Sequence, residues 1–193
     1  MNPYKILVIE YLSKSNEFET MLNKLGFKAV TLFSEALDIN KIAHQIMPEV
    51  IVFNSEKVTD KMIQFIKELN RVYARPTILF SEDSDSKSVN IVIQAGISAY
   101  IVNGLESKRI KSIIDIAAAR FKEHQKMQAE LEKTRDKLDE RKLLDRAKGI
   151  LIKTRGFSED KAFHTLRKLA MDRNITLAEM AKNVIVMSEL LEQ

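Results

Sequence analysis

Short apolar runs alternate with stretches of helical periodicity in the first half of the chain. Residues 5–9 (KILVI) form a buried-strand candidate, and residues 16–25 predict a helix closed by Gly26. A second strand follows over 28–32, a helix over 39–46 ended by Pro48, and a third strand over 50–53 (VIVF). Residues 59–73 carry Met62, Phe65, Ile66 and Leu69 at helical spacing. A fourth strand over 77–80 (TILF), a helix over 86–95 before Gly96 and a fifth strand over 99–102 complete the series. Five strand-then-helix units of this length predict an α/β architecture, (βα)5, with a parallel sheet covered by helices on both faces.

The pattern then changes. No glycine or proline interrupts residues 105–146, and Ser107 caps a helix carrying Ile110, Ile113, Ile114 and Ala117. Residues 121–140 (FKEHQKMQAELEKTRDKLDE) are dense in Glu, Lys, Gln and Arg, which are strong helix formers. Phe121, His124, Met127 or Gln128, Leu131, Thr134 and Leu138 track a period near seven, over a short seam with polar members. A continuous connector helix that pairs with its copy in a homodimer is expected, against the alternative of a single solvent-exposed helix.

Beyond it, Leu143, Leu144, Ala147, Ile150 and Leu151 recur at the spacing of an amphipathic helix, which stops at Gly156 after Arg155. Gly149 lies inside this pattern, where glycine costs roughly 1 kcal/mol relative to alanine. A glycine at that place implies a close approach to the backbone by another helix or by a ligand. Arg141, Lys148 and Arg155 fall seven residues apart, along one side of the helix. Ser158, followed by Glu159 and Asp160, reads as an N-cap, with Ala162, Leu166, Leu169 and Ala170 as the apolar stripe behind it. Thr176 and Glu179 form a capping box for a last helix faced by Leu177, Ala181, Val184, Ser188 and Leu191. The result is a small three-helix unit.

Charge singles out the same segment. Residues 141–193 hold 11 Lys+Arg against 7 Asp+Glu, while the other 140 residues hold 20 of each sign. The whole net charge of +4 therefore lies there. A polyanion-binding module on a neutral carrier and a merely solvated basic face both fit that asymmetry.

Ala147-Lys148-Gly149-Ile150-Leu151, then Gly156-Phe157-Ser158-Glu159-Asp160-Lys161-Ala162-Phe163, then Leu166-Arg167, Ala170-Met171 and Ala181 resemble the ANTAR domain. That family consists of three-helix RNA-binding modules in bacterial transcription antiterminators. It often has an arginine where Thr154 stands here, with Arg155 beside it. The resemblance implies Ala147, Lys148 and Gly149 as an RNA contact core, Lys148 supplying charge and Gly149 allowing backbone approach. Arg141, Arg146, Lys153 and Arg155 are flanking phosphate candidates.

The strand order over about residues 1–120 resembles the receiver domain of bacterial response regulators. That family phosphorylates an aspartate at the end of the third strand, with Mg²⁺ held by acids after the first. Here Val52-Phe53-Asn54 ends the third strand, and a carboxamide cannot form an acyl phosphate. The acid pair is reduced to Glu10 followed by Tyr11, which removes an oxygen ligand for a hard cation. Ser81 matches the family's hydroxyl position, but Asn103-Gly104 stands where Lys-Pro is expected. Glu10, Asn54, Ser81 and Asn103 are thus expected to form a degenerate phosphoacceptor pocket, in a pseudo-receiver kept as a docking and dimerisation platform.

Ser98-Ala99-Tyr100-Ile101-Val102, the stretches Ile114-Asp115-Ile116-Ala117 and Ala119-Arg120-Phe121, and Met187-Ser188-Glu189-Leu190-Leu191 are similar to the nitrate/nitrite-responsive antiterminators of the NasT group. This implies binding to paired small hairpins in a leader mRNA, which prevents a terminator from forming. It also implies a partner sensor, shaped like a solute-binding protein, that responds to nitrate or nitrite. The expected organisation is a pseudo-receiver over 1–120, a coiled-coil connector over 121–140 and an ANTAR domain over 141–193.

Other chemistry finds little support. There is no cysteine, and His44, His124 and His164 lack partners at metal-ligand spacing, so no metal or other cofactor is expected. With no nucleophile–base pair and no phosphate-cradling glycine loop, an enzyme is not expected. No run of 18 apolar residues exists to span a membrane and the first residues do not read as a signal peptide, so a cytoplasmic protein is expected. Two rival readings remain: a response regulator that binds duplex DNA through a helix-turn-helix, and an adaptor whose basic face docks on an acidic protein.

Overall fold

The computed structural model describes residues 4–11, 16–33, 38–102 and 106–191, which fall into two compact units, Met1–Gln125 and Lys126–Gln193. In the first unit, strands β1 (Lys5–Glu10), β2 (Lys28–Phe33), β3 (Val50–Ser55), β4 (Thr77–Ser81) and β5 (Ala99–Val102) are all parallel. They stand in the order β2-β1-β3-β4-β5.

Strand side chains alternate between faces, and here the alternation builds two cores. Ile6, Val8, Val50, Val52 and Ile78 pack with Phe18 and Leu22 of α1 (Glu17–Lys24) and with Ile110 and Ile114 of α5 (Ser107–Arg155). Leu7, Ile9, Ile51, Phe53 and Leu79 turn the other way. They meet Met62, Ile66 and Leu69 of α3 (Asp60–Val72) and Val92 of α4 (Ser86–Gln94). Burial on both faces is why the central strands read as continuous apolar runs.

One element differs from expectation. The helix over 39–46 is α-helical only in α2 (Ile39–Lys41) and continues as a π-helical turn, Ile42–Ile46. Met47 leaves it in the left-handed conformation, φ 49°, with its N–H donating to the Ile42 carbonyl at 2.9 Å. Pro48 ends the segment where expected, because the residue before a proline is pushed out of the right-handed helical region.

The helix α5 runs unbroken from Ser107 to Arg155, as its composition predicts. Residues 122–142 are exposed throughout, so Met127, Leu131 and Leu138 of the expected seam lie open on the single chain. In the second unit α6 (Glu159–Asp172) and α7 (Leu177–Leu191) pack on the last turns of α5. The shared core is Ala147, Leu166, Ala170, Met180, Ala181 and Ile185. The buried face of α7 is therefore rotated from the expected stripe: Met180 and Ile185 take its centre, and Ser188 stands at its edge.

Caps fix where these helices begin and end. Ser158 Oγ accepts from the Lys161 N–H at 3.3 Å, and Thr176 and Glu179 exchange bonds as a capping box. Gly156, at φ 64°, closes α5 by donating its N–H to the Ile152 carbonyl at 3.0 Å.

In the first unit, Gly96 follows α4 at φ 97°, and an added Cβ would lie 2.6 Å from Asn70 Nδ2. That amide donates to the Ala95 carbonyl at 3.0 Å, so it is not free to swing away. Gly96→Ala should therefore lower the free energy of unfolding by about 1–2 kcal/mol, through both conformation and clash. Urea unfolding followed by circular dichroism would measure it, and an unchanged midpoint would contradict the assignment.

Candidate nucleic-acid interface

The last turns of α5 carry the residues singled out by sequence, and the helical period gives them different surroundings. Ala147 is fully buried in the core of the second unit. Its place in the segment is a packing one, since a small side chain lets α6 and α7 close on α5. Lys148 leaves the helix toward α6. Its Nζ donates to Asp145 Oδ1 and to Glu159 Oε1, both at 2.8 Å, and only 16% of the side chain is exposed. Lys148 is thus a clasp between two helices before it is a free cation.

The charges of this clasp reinforce one another. Hydrogen bonding to Asp145, and then to Glu159, raises the Lys148 pKa above its usual 10.5. The same ammonium holds the Asp145 carboxyl below its usual 3.8. Glu159 also stands in the first turn of α6, where the helix dipole favours an anion.

Gly149 follows on the outer side. It is exposed, and a Cβ built there would meet nothing within 4 Å. No helix of the described chain makes the close approach expected of it. Arg146 Nη2 donates to Glu189 Oε1 of α7 at 2.6 Å, a second tie across helices. Arg141 lies 3.9 Å from Asp145 along α5. Lys153 and Arg155 are exposed and enter no ion pair among the described residues.

Two features escape the sequence. Asp145, three residues before Lys148, follows the ordinary helical spacing of an ion pair and was open to prediction. Glu159 lies eleven residues on, across a turn, and only the packing of α6 brings it in. The other feature is a cleft beside Arg155, lined in addition by Arg173 just after α6 and by Asn183 and Met187 of α7.

At the C-terminal end of the sheet, Glu10 and Asn54 face each other in register, and Asn54 Nδ2 donates to Glu10 Oε2 at 2.8 Å. Glu10 is fully buried. Ser81 Oγ turns to backbone, donating to the Glu56 carbonyl and accepting from the Asp83 N–H, each at 3.2 Å. Asn103 lies outside the described residues. The Glu10 carboxylate is engaged by the Asn54 amide, and no group of three or more His, Cys, Asp or Glu side chains placed to hold a metal ion occurs among the described residues.

Comparison with known proteins matches residues 132–185 to the ANTAR domain. The second unit carries an ANTAR domain. The chain is 26% identical over 165 residues to the Transcriptional regulatory protein PdtaR of Mycobacterium tuberculosis, across 86% of this chain and 80% of that protein. It is 32% identical over 80 residues to the Nitrate regulatory protein of Klebsiella oxytoca, across 42% of this chain but only 20% of that protein. The fold of the first unit is that of a receiver. It resembles a response regulator receiver domain protein (CheY-like) of Methanospirillum hungatei, with a TM-score of 0.52 and 13% identity, over 62% of this chain and 98% of that one. Every candidate RNA-contact residue lies within the stretch matched to the ANTAR domain.

The clasp has a pH signature. A carboxylate whose pKa is lowered by folding stabilises the fold above its unfolded value and loses that contribution as pH falls through the folded one. Asp145→Asn should therefore lower the melting temperature at neutral pH. The gap to the parent should close as pH drops below 3.8, where the parent also loses its charge. Thermal melts over an acid series would measure this, and a gap that stays constant would remove Asp145 from the clasp.

Proposed function

We propose that this protein is a transcription antiterminator whose ANTAR domain binds small hairpins of a leader mRNA and so keeps a terminator from forming. Gly149 carries the reading. A helix-interior glycine costs roughly 1 kcal/mol against alanine, and no contact within the described chain offsets it. Its benefit lies in what lands on that face, where a bare backbone lets a bulky partner approach closely. The net charge of +4 concentrated in this segment favours a polyanion as that partner. Loop bases and hairpin shape, rather than duplex sequence, are what such a surface reads on RNA.

Lys148, positioned by Asp145 and Glu159, presents its charge beside Gly149, while Arg141, Arg146, Lys153 and Arg155 flank it as phosphate contacts. The exposed Met127, Leu131 and Leu138 on α5 support pairing of the connector with a second copy, which would bring two such surfaces together. Similarity to the Nitrate regulatory protein of Klebsiella oxytoca supports control of nitrate or nitrite assimilation genes. A nitrate/nitrite-sensing partner shaped like a solute-binding protein fits that role, and the protein would act in the cytoplasm without being an enzyme.

The first unit serves as a docking and dimerisation platform rather than a phosphorylation switch. Acetyl phosphate with Mg²⁺ should leave no acid- and base-labile label on the protein. A label of that kind would overturn the pseudo-receiver reading while leaving RNA binding untouched.

The RNA reading is tested by gel shift with a two-hairpin leader RNA, using matching duplex DNA as control. Tight binding to RNA alone is expected. Gly149→Ala should raise unfolding free energy by up to about 1 kcal/mol and yet weaken RNA binding by roughly tenfold, a split no packing role produces. Removing Lys153 or Arg155 should weaken binding across all RNA sequences and reduce the salt slope by about 1 for each. Equal affinity for duplex DNA would favour the helix-turn-helix rival. Binding to neither nucleic acid would favour an acidic protein partner.

A further inference from the structure

A cleft of about 580 Å³ opens where the end of α5, the end of α6 and the outer side of α7 converge. Ile150, Leu169, Met180 and Val184 give it an apolar floor, and Arg155 and Arg173 stand among its lining residues. Asn183 and Ser188 add hydrogen-bonding groups. Thr154, the other hydroxyl in the lining, is occupied, since its Oγ donates to the Ile150 carbonyl at 2.8 Å.

The charge around the cleft is one-sided. Glu189 is held by Arg146 at 2.6 Å, and Glu179 by the capping box at 2.8 Å. Neither arginine of the cleft enters an ion pair among the described residues. A second copy of this basic unit would bring like charges together, so self-association through the cleft is disfavoured.

We infer that this cleft takes an unpaired base of the bound RNA, with Arg155 and Arg173 on the phosphates at either side of it. The inference rests on the RNA-binding reading above and adds to it a specificity site away from the Lys148 segment. An unstacked base presents a flat apolar face with a polar edge, and its backbone carries the negative charge. The cleft offers the matching set: a floor that sheds water, an amide and a hydroxyl for the edge, and guanidinium groups for phosphate oxygens. Met187, 61% exposed in the wall, gives a soft and adaptable surface for stacking. Its volume lies in the range of clefts that hold small ligands.

The test uses the full chain and a stem-loop RNA selected against it from a pool with a randomised loop. Each loop nucleotide is then replaced in turn by an abasic one, which removes the base and keeps the phosphate. The parent should lose affinity roughly tenfold at one loop position and little elsewhere. Asn183→Trp, which fills the cleft from an exposed position on α7, should bind the intact RNA roughly tenfold more weakly. It should then show no further loss at that same abasic position. Met187→Trp, one turn along α7, repeats the experiment if the first variant does not fold. Arg155→Gln with Arg173→Gln should flatten the salt dependence but keep the abasic sensitivity. If the filled variants still discriminate like the parent, or no abasic position matters, the cleft is not a base site and RNA binding stands without it. If selection yields no binding RNA, both readings fall together.

Discussion

An α-helix advances by 3.6 residues per turn, so three successive residues point in three directions. In the last turns of α5 that constraint divides Ala147, Lys148 and Gly149 among three tasks. Ala147 turns inward and sets how closely α6 and α7 pack. Lys148 turns sideways to a carboxylate on α6, tying the two helices together. Gly149 turns outward and leaves the backbone bare. None can be moved by a position without undoing the other two. The compact sequence Ala-Lys-Gly is thus a statement about one helix viewed from three sides, and only one of those sides is open to a partner.

That division explains what could and could not be read from the chain. The parallel sheet was legible because strands buried on both faces must be almost wholly apolar, and β1 and β3 are. The ends of α5 and α6 were legible because Gly156 and Ser158 do local chemistry that any helix terminus needs. The π-helical turn Ile42–Ile46 was not, since Pro48 limits Met47 but does not say whether the preceding turn tightens or widens. At the candidate site, Lys148 reads as a basic residue on a helix face in one dimension. In three dimensions it is largely covered, because Glu159 arrives from a helix whose docking angle depends on the whole small core. Sequence spacing predicts partners along one helix well and partners between helices poorly.

The sheet's C-terminal end makes the same point about chemistry. A receiver's switch depends on carboxylates that repel one another and welcome a cation, a poised arrangement. Replacing one with the Asn54 amide turns repulsion into a hydrogen bond to Glu10 at 2.8 Å. The amide then bonds one oxygen of the buried Glu10 carboxylate, where an isolated charge would be costly. The first unit keeps the fold of a receiver, with these two side chains joined by a hydrogen bond.

The distribution of ion pairs in the ANTAR domain separates orientation from affinity. Surface pairs between exposed side chains contribute only about 0–1 kcal/mol each, so the bond of Arg146 to Glu189 matters more as a strut than as stability, and the partly covered Lys148 ties α5 to α6 in the same way. A cation already paired with a carboxylate also gives little when it meets a phosphate, because the pair must loosen first. The cations without ion pairs among the described residues, including Lys153, Arg155, Arg173 and Lys182, carry no such penalty. On the proposed RNA reading they are the groups whose approach to phosphates would release counterions. On the RNA-binding reading proposed above, affinity should therefore reside toward the end of α5 and the cleft beside it, while the paired residues would hold the open backbone at Gly149 in place for the RNA.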